Sequence, residues 1–148
     1  MANFMKAKLF VLILPMIVVS IFISSCDYYN HKLKLHNKSK EIVTVGHTDR
    51  ELPDEMNNVE YYIADYSAIM PDSTYDIVIA GKDNAWHWYI DHSPRKKLFV
   101  YVFSVKEISQ YRGDVMGDII RAGKYLKRFE YTEQELIDHN WTITYNGN

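Results

Sequence analysis

Hydrophobic and polar positions alternate strictly in several short stretches of this chain, and a period of two is the signature of a strand. Lys32-Leu33-Lys34-Leu35-His36 alternates throughout and predicts a strand with one wet face. Asn37-Lys38-Ser39-Lys40 supplies turn chemistry, and Glu41-Ile42-Val43-Thr44-Val45 returns as a second strand, so the pair predicts a hairpin. Gly46 to Asn58 is polar, contains Pro53 and predicts a long loop; Val59 to Ala64 reads as a short strand or an irregular crossing. Met70-Pro71-Asp72-Ser73-Thr74 has turn chemistry again, and the β-rich run from Tyr75 to Ala80 ends at Gly81-Lys82-Asp83-Asn84.

Trp86 to Ile90 also alternates, which puts Trp86, Trp88 and Ile90 on one strand face and His87 and Tyr89 on the other. After a turn at Ser93-Pro94-Arg95, Leu98 to Val105 is apolar on both faces and predicts a central strand covered on both sides. Ser104 to Tyr111 predicts a short helix capped by Ser104, and Tyr125 to Tyr131 a further strand. Thr132-Glu133-Gln134-Glu135 matches a capping box, in which the Thr132 hydroxyl accepts from the Glu135 amide and Glu135 reaches back; a short helix runs on through Asp138. Trp141-Thr142-Ile143-Thr144-Tyr145 alternates as a last strand. Short strands separated by turns predict an all-β fold, a mainly antiparallel β-sandwich with one or two short helices.

One segment departs from this pattern. Lys6 and Lys8 precede an apolar run from Leu9 to Ile23, and Ser24-Ser25-Cys26 closes it with small residues. A basic start, a short apolar core and small residues at the cut site make a secretory signal peptide. Two other readings stay open, a retained membrane anchor and an ordinary leader with a chance cysteine. A span needs roughly 20 apolar residues, and this run is slightly short and carries Pro15. All three readings put the rest of the chain outside the cytoplasm. Ile23-Ser24-Ser25-Cys26 resembles the lipobox of bacterial lipoproteins. That resemblance implies cleavage before Cys26, acylation of its thiol and a membrane-anchored chain, with residues 1–25 as leader, 26–31 as tether and 32–148 as domain.

The length allows one domain with its own core. The formal net charge of −2, with both leader positive charges lost on cleavage, argues against a nucleic-acid partner. Cys26 is the only cysteine, so no disulfide forms and stability must come from packing. All twelve tyrosines and all three tryptophans follow Cys26, as suits half-buried sheets.

Candidate chemistry is thin. His87, Asp91 and His92 have metal-ligand character, with His47 and Asp49 as distant additions, but His87 and Asp91 on a strand would stand roughly 13 Å apart. No metal and no cofactor are therefore expected. No nucleophile elbow, Ser-x-x-Lys or zinc-helix motif occurs, and the chain reads as not an enzyme. Trp86 and Trp88 are candidate ligand-stacking residues against a default of core. Asp72-Ser73-Thr74 resembles the signal for O-glycosylation of exported Bacteroidetes proteins, which makes Ser73 a candidate modification site.

The C-terminal order of Leu126-Lys127-Arg128-Phe129-Glu130-Tyr131-Thr132, Glu135-Leu136 and Asn140-Trp141-Thr142-Ile143-Thr144-Tyr145 resembles the ending of many small, uncharacterised Bacteroidetes lipoproteins. The resemblance implies a β-sandwich lipoprotein and no particular activity. The expectation is an envelope protein acting as a non-catalytic binding or accessory module for a glycan or protein partner. The alternatives are a structural subunit of an envelope assembly and, less favoured, a periplasmic hydrolase.

Overall fold

The computed structural model describes residues 28–54 and 56–147. Cys26 and the expected leader, residues 1–25, lie outside them. Six strands form two three-stranded sheets. The first holds β1 (Tyr29–Asn37), β3 (Ser73–Ala80) and β6 (Thr142–Tyr145) in the order β3-β1-β6. The second holds β2 (Val43–Thr48), β4 (Leu98–Ser104) and β5 (Lys127–Tyr131) in the order β2-β4-β5. Pairing is antiparallel except between β1 and β6, which run parallel, with Leu35 opposite Ile143. Strand order thus joins the two ends of the domain in one sheet.

Inward-facing residues of both sheets meet in one core. Leu33, Leu35, Ile77 and Ile143 come from the first sheet; Val43, Val45, Val100 and Val102 come from the second. The period of two does the sorting, since one face of each strand carries the apolar set. β4 is the exception that the sequence foretells, with all of its residues buried. Its other face, Phe99, Tyr101 and Phe103, is covered by a second cluster from α1 (Val59–Ile63), α3 (Val105–Ile108) and α4 (Met116–Arg121). Two further helices, α2 (Ala85–Asp91) and α5 (Glu133–Asp138), close the first core through Trp86, Ile90 and Leu136. Helix is therefore more plentiful than the expected one or two short pieces. The irregular chain after β2 is latched over the second sheet. Arg128 and Arg95 both bind the Glu51 carboxylate, and Arg121 donates to the Pro53 carbonyl at 2.8 Å.

Both predicted caps are present. The Ser104 hydroxyl accepts from the Glu107 amide, and Thr132 and Glu135 form the reciprocal capping box. β5 is an edge strand of the second sheet.

Three expectations need correction. β1 and β2 are not a hairpin: they belong to different sheets and face each other across the core. Asn37, fully buried, explains the crossing. Its amide donates to the carbonyls of Glu41 (2.8 Å) and Ile69 (3.0 Å), and its oxygen accepts from the Ser39 amide (3.0 Å) and hydroxyl (2.7 Å). These bonds satisfy the corner locally and free both strands to find other partners. Second, Val59–Ile63 is helical, because Val59 and Tyr62 are spaced i, i+3 and both face the second core. Third, Trp86 to Ile90 lies in α2. An apolar pair four residues apart fits two strand repeats and about one helical turn equally well, so five residues cannot separate the periods. The strands also shift slightly: β1 starts at Tyr29 and not Lys32, and β2 extends through Gly46 to Thr48.

Candidate binding cleft

β2 is an edge strand, and among the described residues only its first residue is paired on the outer side. Val43 donates to the Ile69 carbonyl at 3.1 Å and accepts from the Ile69 amide at 2.7 Å. Backbone groups alternate in direction along an antiparallel strand. Val45 and His47 therefore also point their N–H and C=O away from β4, and no strand among the described residues pairs with them. A cleft of about 470 Å³ runs along this bare edge and reaches Tyr75, Ile77 and Val78 on β3, the edge strand of the other sheet.

Tyrosine dominates its walls. Tyr61 and Tyr62 pack edge to face at 5.2 Å, and Tyr66 stands edge to face against Tyr61 at 5.7 Å beside the cleft. Tyr62 is buried, whereas Tyr61 and Tyr66 are exposed. α1 produces this split, because neighbouring helical positions face different ways. Burial raises the phenol pKa of Tyr62 and of Tyr75, so both remain neutral donors and acceptors. Met56 and Tyr62 lie directly over Gly46. A Cβ there would come 2.9 Å from the Met56 methyl and 3.3 Å from the Tyr62 ring, so the missing side chain sets the depth of the cleft floor.

Among the described residues, His47 is the one ionisable lining residue other than tyrosine. Its half-buried ring stands edge-on to Trp86 at 5.2 Å and to Tyr89 at 5.7 Å. Burial lowers its pKa to about 4, so the imidazole is neutral near pH 7. No Asp, Glu, Lys or Arg lines the cleft among the described residues.

The remaining candidate residues do not converge. His87 bonds Glu133 at 2.6 Å, which joins α2 to α5, and this carboxylate raises its pKa. Asp91 pairs with Lys96 at 2.8 Å, which lowers its pKa; His92 bonds the Trp88 carbonyl at 2.8 Å. Among the described residues no group of three or more His, Cys, Asp or Glu is placed to hold a metal ion. Trp86 is only 1 % exposed and belongs to the core, while Trp88, at 62 %, is open to solvent. The two do not form the shared stacking face that a strand would have given. Ser73 is half-buried at the start of β3, and its hydroxyl donates to the Met70 carbonyl at 2.6 Å. The candidate acylation site, Cys26, lies outside the described residues.

The tyrosine cleft went unnoticed in the sequence because it needs the helical reading of Val59–Ile63. The i, i+3 spacing of Val59 and Tyr62, with Tyr61 left outside, is the signal that could have found it. No helix among the described residues is long and apolar enough to cross a membrane. Comparison with family models, curated proteins and solved structures finds no match.

Proposed function

We propose that this chain is a lipoprotein of the bacterial envelope, tethered through Cys26, whose domain is a small β-sandwich that binds an extended segment of a partner polypeptide without catalysis. The lipobox-like Ile23-Ser24-Ser25-Cys26 after a basic and apolar leader supports the tether. Two sheets facing each other across one core support the sandwich.

The observation that carries the binding reading is the tyrosine-lined cleft along the bare edge of β2, which has no charged lining among the described residues. An exposed edge takes another strand through main-chain hydrogen bonds, and pockets beside it select side chains. Val45 and His47 offer that edge, and Tyr61, Tyr62 and Tyr75 line its flank. Tyrosine and methionine enrichment with depletion of charge is the composition of a protein-contact core. Neutral His47 adds no charge to desolvate.

The test is a photoreactive phenylalanine at Tyr61 in the full chain in its native envelope, with Lys124 as the exposed control position. The expected result is a polypeptide crosslinked from Tyr61 and not from Lys124. A synthetic peptide of the crosslinked segment then slows hydrogen exchange at the Val45 and His47 amides of the full chain. A crosslinked segment whose peptide leaves those amides unprotected would overturn edge pairing. If oligosaccharides and not peptides protect the cleft, the ligand is a glycan.

A further inference from the structure

A second exposed surface lies at the opposite end of β3 from Ser73. Gly81-Lys82-Asp83 follows β3, and the Gly81 amide donates to the Tyr28 carbonyl at 2.8 Å. The amide of Asn30 holds the same loop through the carbonyls of Lys82 (3.0 Å) and Asp83 (3.3 Å). Large amphipathic rings flank this fixed loop on both sides. Tyr28 and Trp88 line a broad groove of about 670 Å³ with Ile79, Ala80 and Ala85 on one side. Tyr29 lines the hollow on the other. These rings are 59 % (Tyr28), 58 % (Tyr29) and 62 % (Trp88) exposed. Trp88 is held flat against His92, with ring centres 4.3 Å apart. Among the described residues Trp88 stacks only on His92, and Tyr28 and Tyr29 have no aromatic ring partner.

Covalent geometry says what covers them. Cys26 precedes Tyr28 by two residues, and two extended residues reach at most about 7 Å. If Cys26 carries the lipid, Tyr28 lies within that distance of the anchored sulfur's backbone. This face therefore meets the membrane before any other part of the domain. Tyrosine and tryptophan are the side chains that favour the headgroup region, with the apolar ring in and the polar edge out. Lys82 stands beside them and is of the charge that anionic headgroups attract, with Asp83 limiting the net charge of the loop.

We propose that Tyr28, Tyr29 and Trp88 form a foot that rests in the headgroup layer of a phospholipid bilayer and orients the domain on it. The proposal depends on the reading of Cys26 as the lipid-bearing residue. It makes the anchor a two-point contact: acyl chains hold the domain at the membrane, and the rings fix which way it faces. Tyr75, on the cleft wall, stands five residues along β3 from Ala80, about 16 Å from the foot. The orientation would thus hold the cleft a fixed, short height above the lipid.

Tryptophan fluorescence tests this, because Trp86 and Trp141 are only 1 % and 6 % exposed and leave Trp88 as the accessible reporter. The lipidated full chain is reconstituted into phosphatidylethanolamine and phosphatidylglycerol vesicles, with and without phospholipid brominated near the top of its acyl chains. Flotation of the vesicles is measured in parallel, and a chain that begins at Asp27, lacking both Cys26 and the apolar run from Leu9 to Ile23, serves as the untethered control. The expected result is flotation that this control lacks and bromine quenching that Trp88→Phe abolishes. Flotation without quenching would overturn the foot and leave the tether standing. A wild-type chain that fails to float would overturn the tether, and the foot with it.

Discussion

Trp86 and Trp88 sit within one turn of α2 and face opposite ways: Trp86 is sealed in the core against His47, and Trp88 lies on the surface against His92. Their truncations should therefore separate cleanly. Trp86→Ala opens a cavity in the core and should cost about 3–5 kcal/mol, whereas Trp88→Ala should cost less than about 1 kcal/mol. Urea denaturation of the two variants beside the wild type checks this. Equal losses would contradict the helical placement of both rings.

Asn37 is expected to act through its donor. Asn37→Ala removes all four side-chain hydrogen bonds at the corner between β1 and β2 and should cost about 1–3 kcal/mol. Asn37→Asp keeps the acceptor but aims a buried carboxylate at the carbonyls of Glu41 and Ile69, and should be the more destabilised of the two near pH 7. Its carboxyl pKa would be raised in the folded state. The deficit should then shrink as the pH falls and the protonated carboxyl donates in place of the amide. Denaturation midpoints of both variants across pH decide it.

His47 gives the wild type an acid-sensitive step. Its folded-state pKa of about 4 lies below the unfolded value of 6.5, so on acidification the unfolded chain takes up the proton first. The stability due to neutral burial is complete above about pH 6.5 and declines as the pH drops toward 4. From about pH 7.5 to about pH 4.5 the wild type should lose up to about 2–3 kcal/mol more than His47→Phe, which keeps an aromatic ring and cannot titrate. Parallel slopes for the two proteins would exclude the imidazole as the cause.

Gly46 should control the cleft more than the fold. The Cβ of Gly46→Ala meets the flexible end of Met56 at 2.9 Å and the Tyr62 ring at 3.3 Å, and the two further methyls of Gly46→Val must displace that ring more than alanine does. A cost of about 1–3 kcal/mol is expected for the valine variant, together with weaker crosslinking from Tyr61. Unchanged crosslinking from a folded Gly46→Val protein would detach the cleft floor from binding.

Some of this was legible in the sequence by itself. The alternation in β1, the doubly apolar β4, the hydroxyl cap at Ser104 and the capping box from Thr132 to Glu135 each express their structure within a few consecutive residues. Local hydrogen bonding and a period of two need no distant partner to be read. The pattern that suggests export through Cys26 is local in the same sense.

Pairing, facing and the cleft were decided only in three dimensions. Whether β1 pairs with β2 or with β3 and β6 depends on which apolar faces bury most area together, and adjacency in the chain does not settle it. Trp86 to Ile90 fits a strand and a helix equally until the core claims Trp86 and Ile90, four residues apart. The cleft joins His47, Tyr61 and Tyr75 from three separate elements. No short window of sequence holds that juxtaposition, because it exists only once two sheets have closed on a common core and left the edge of β2 bare.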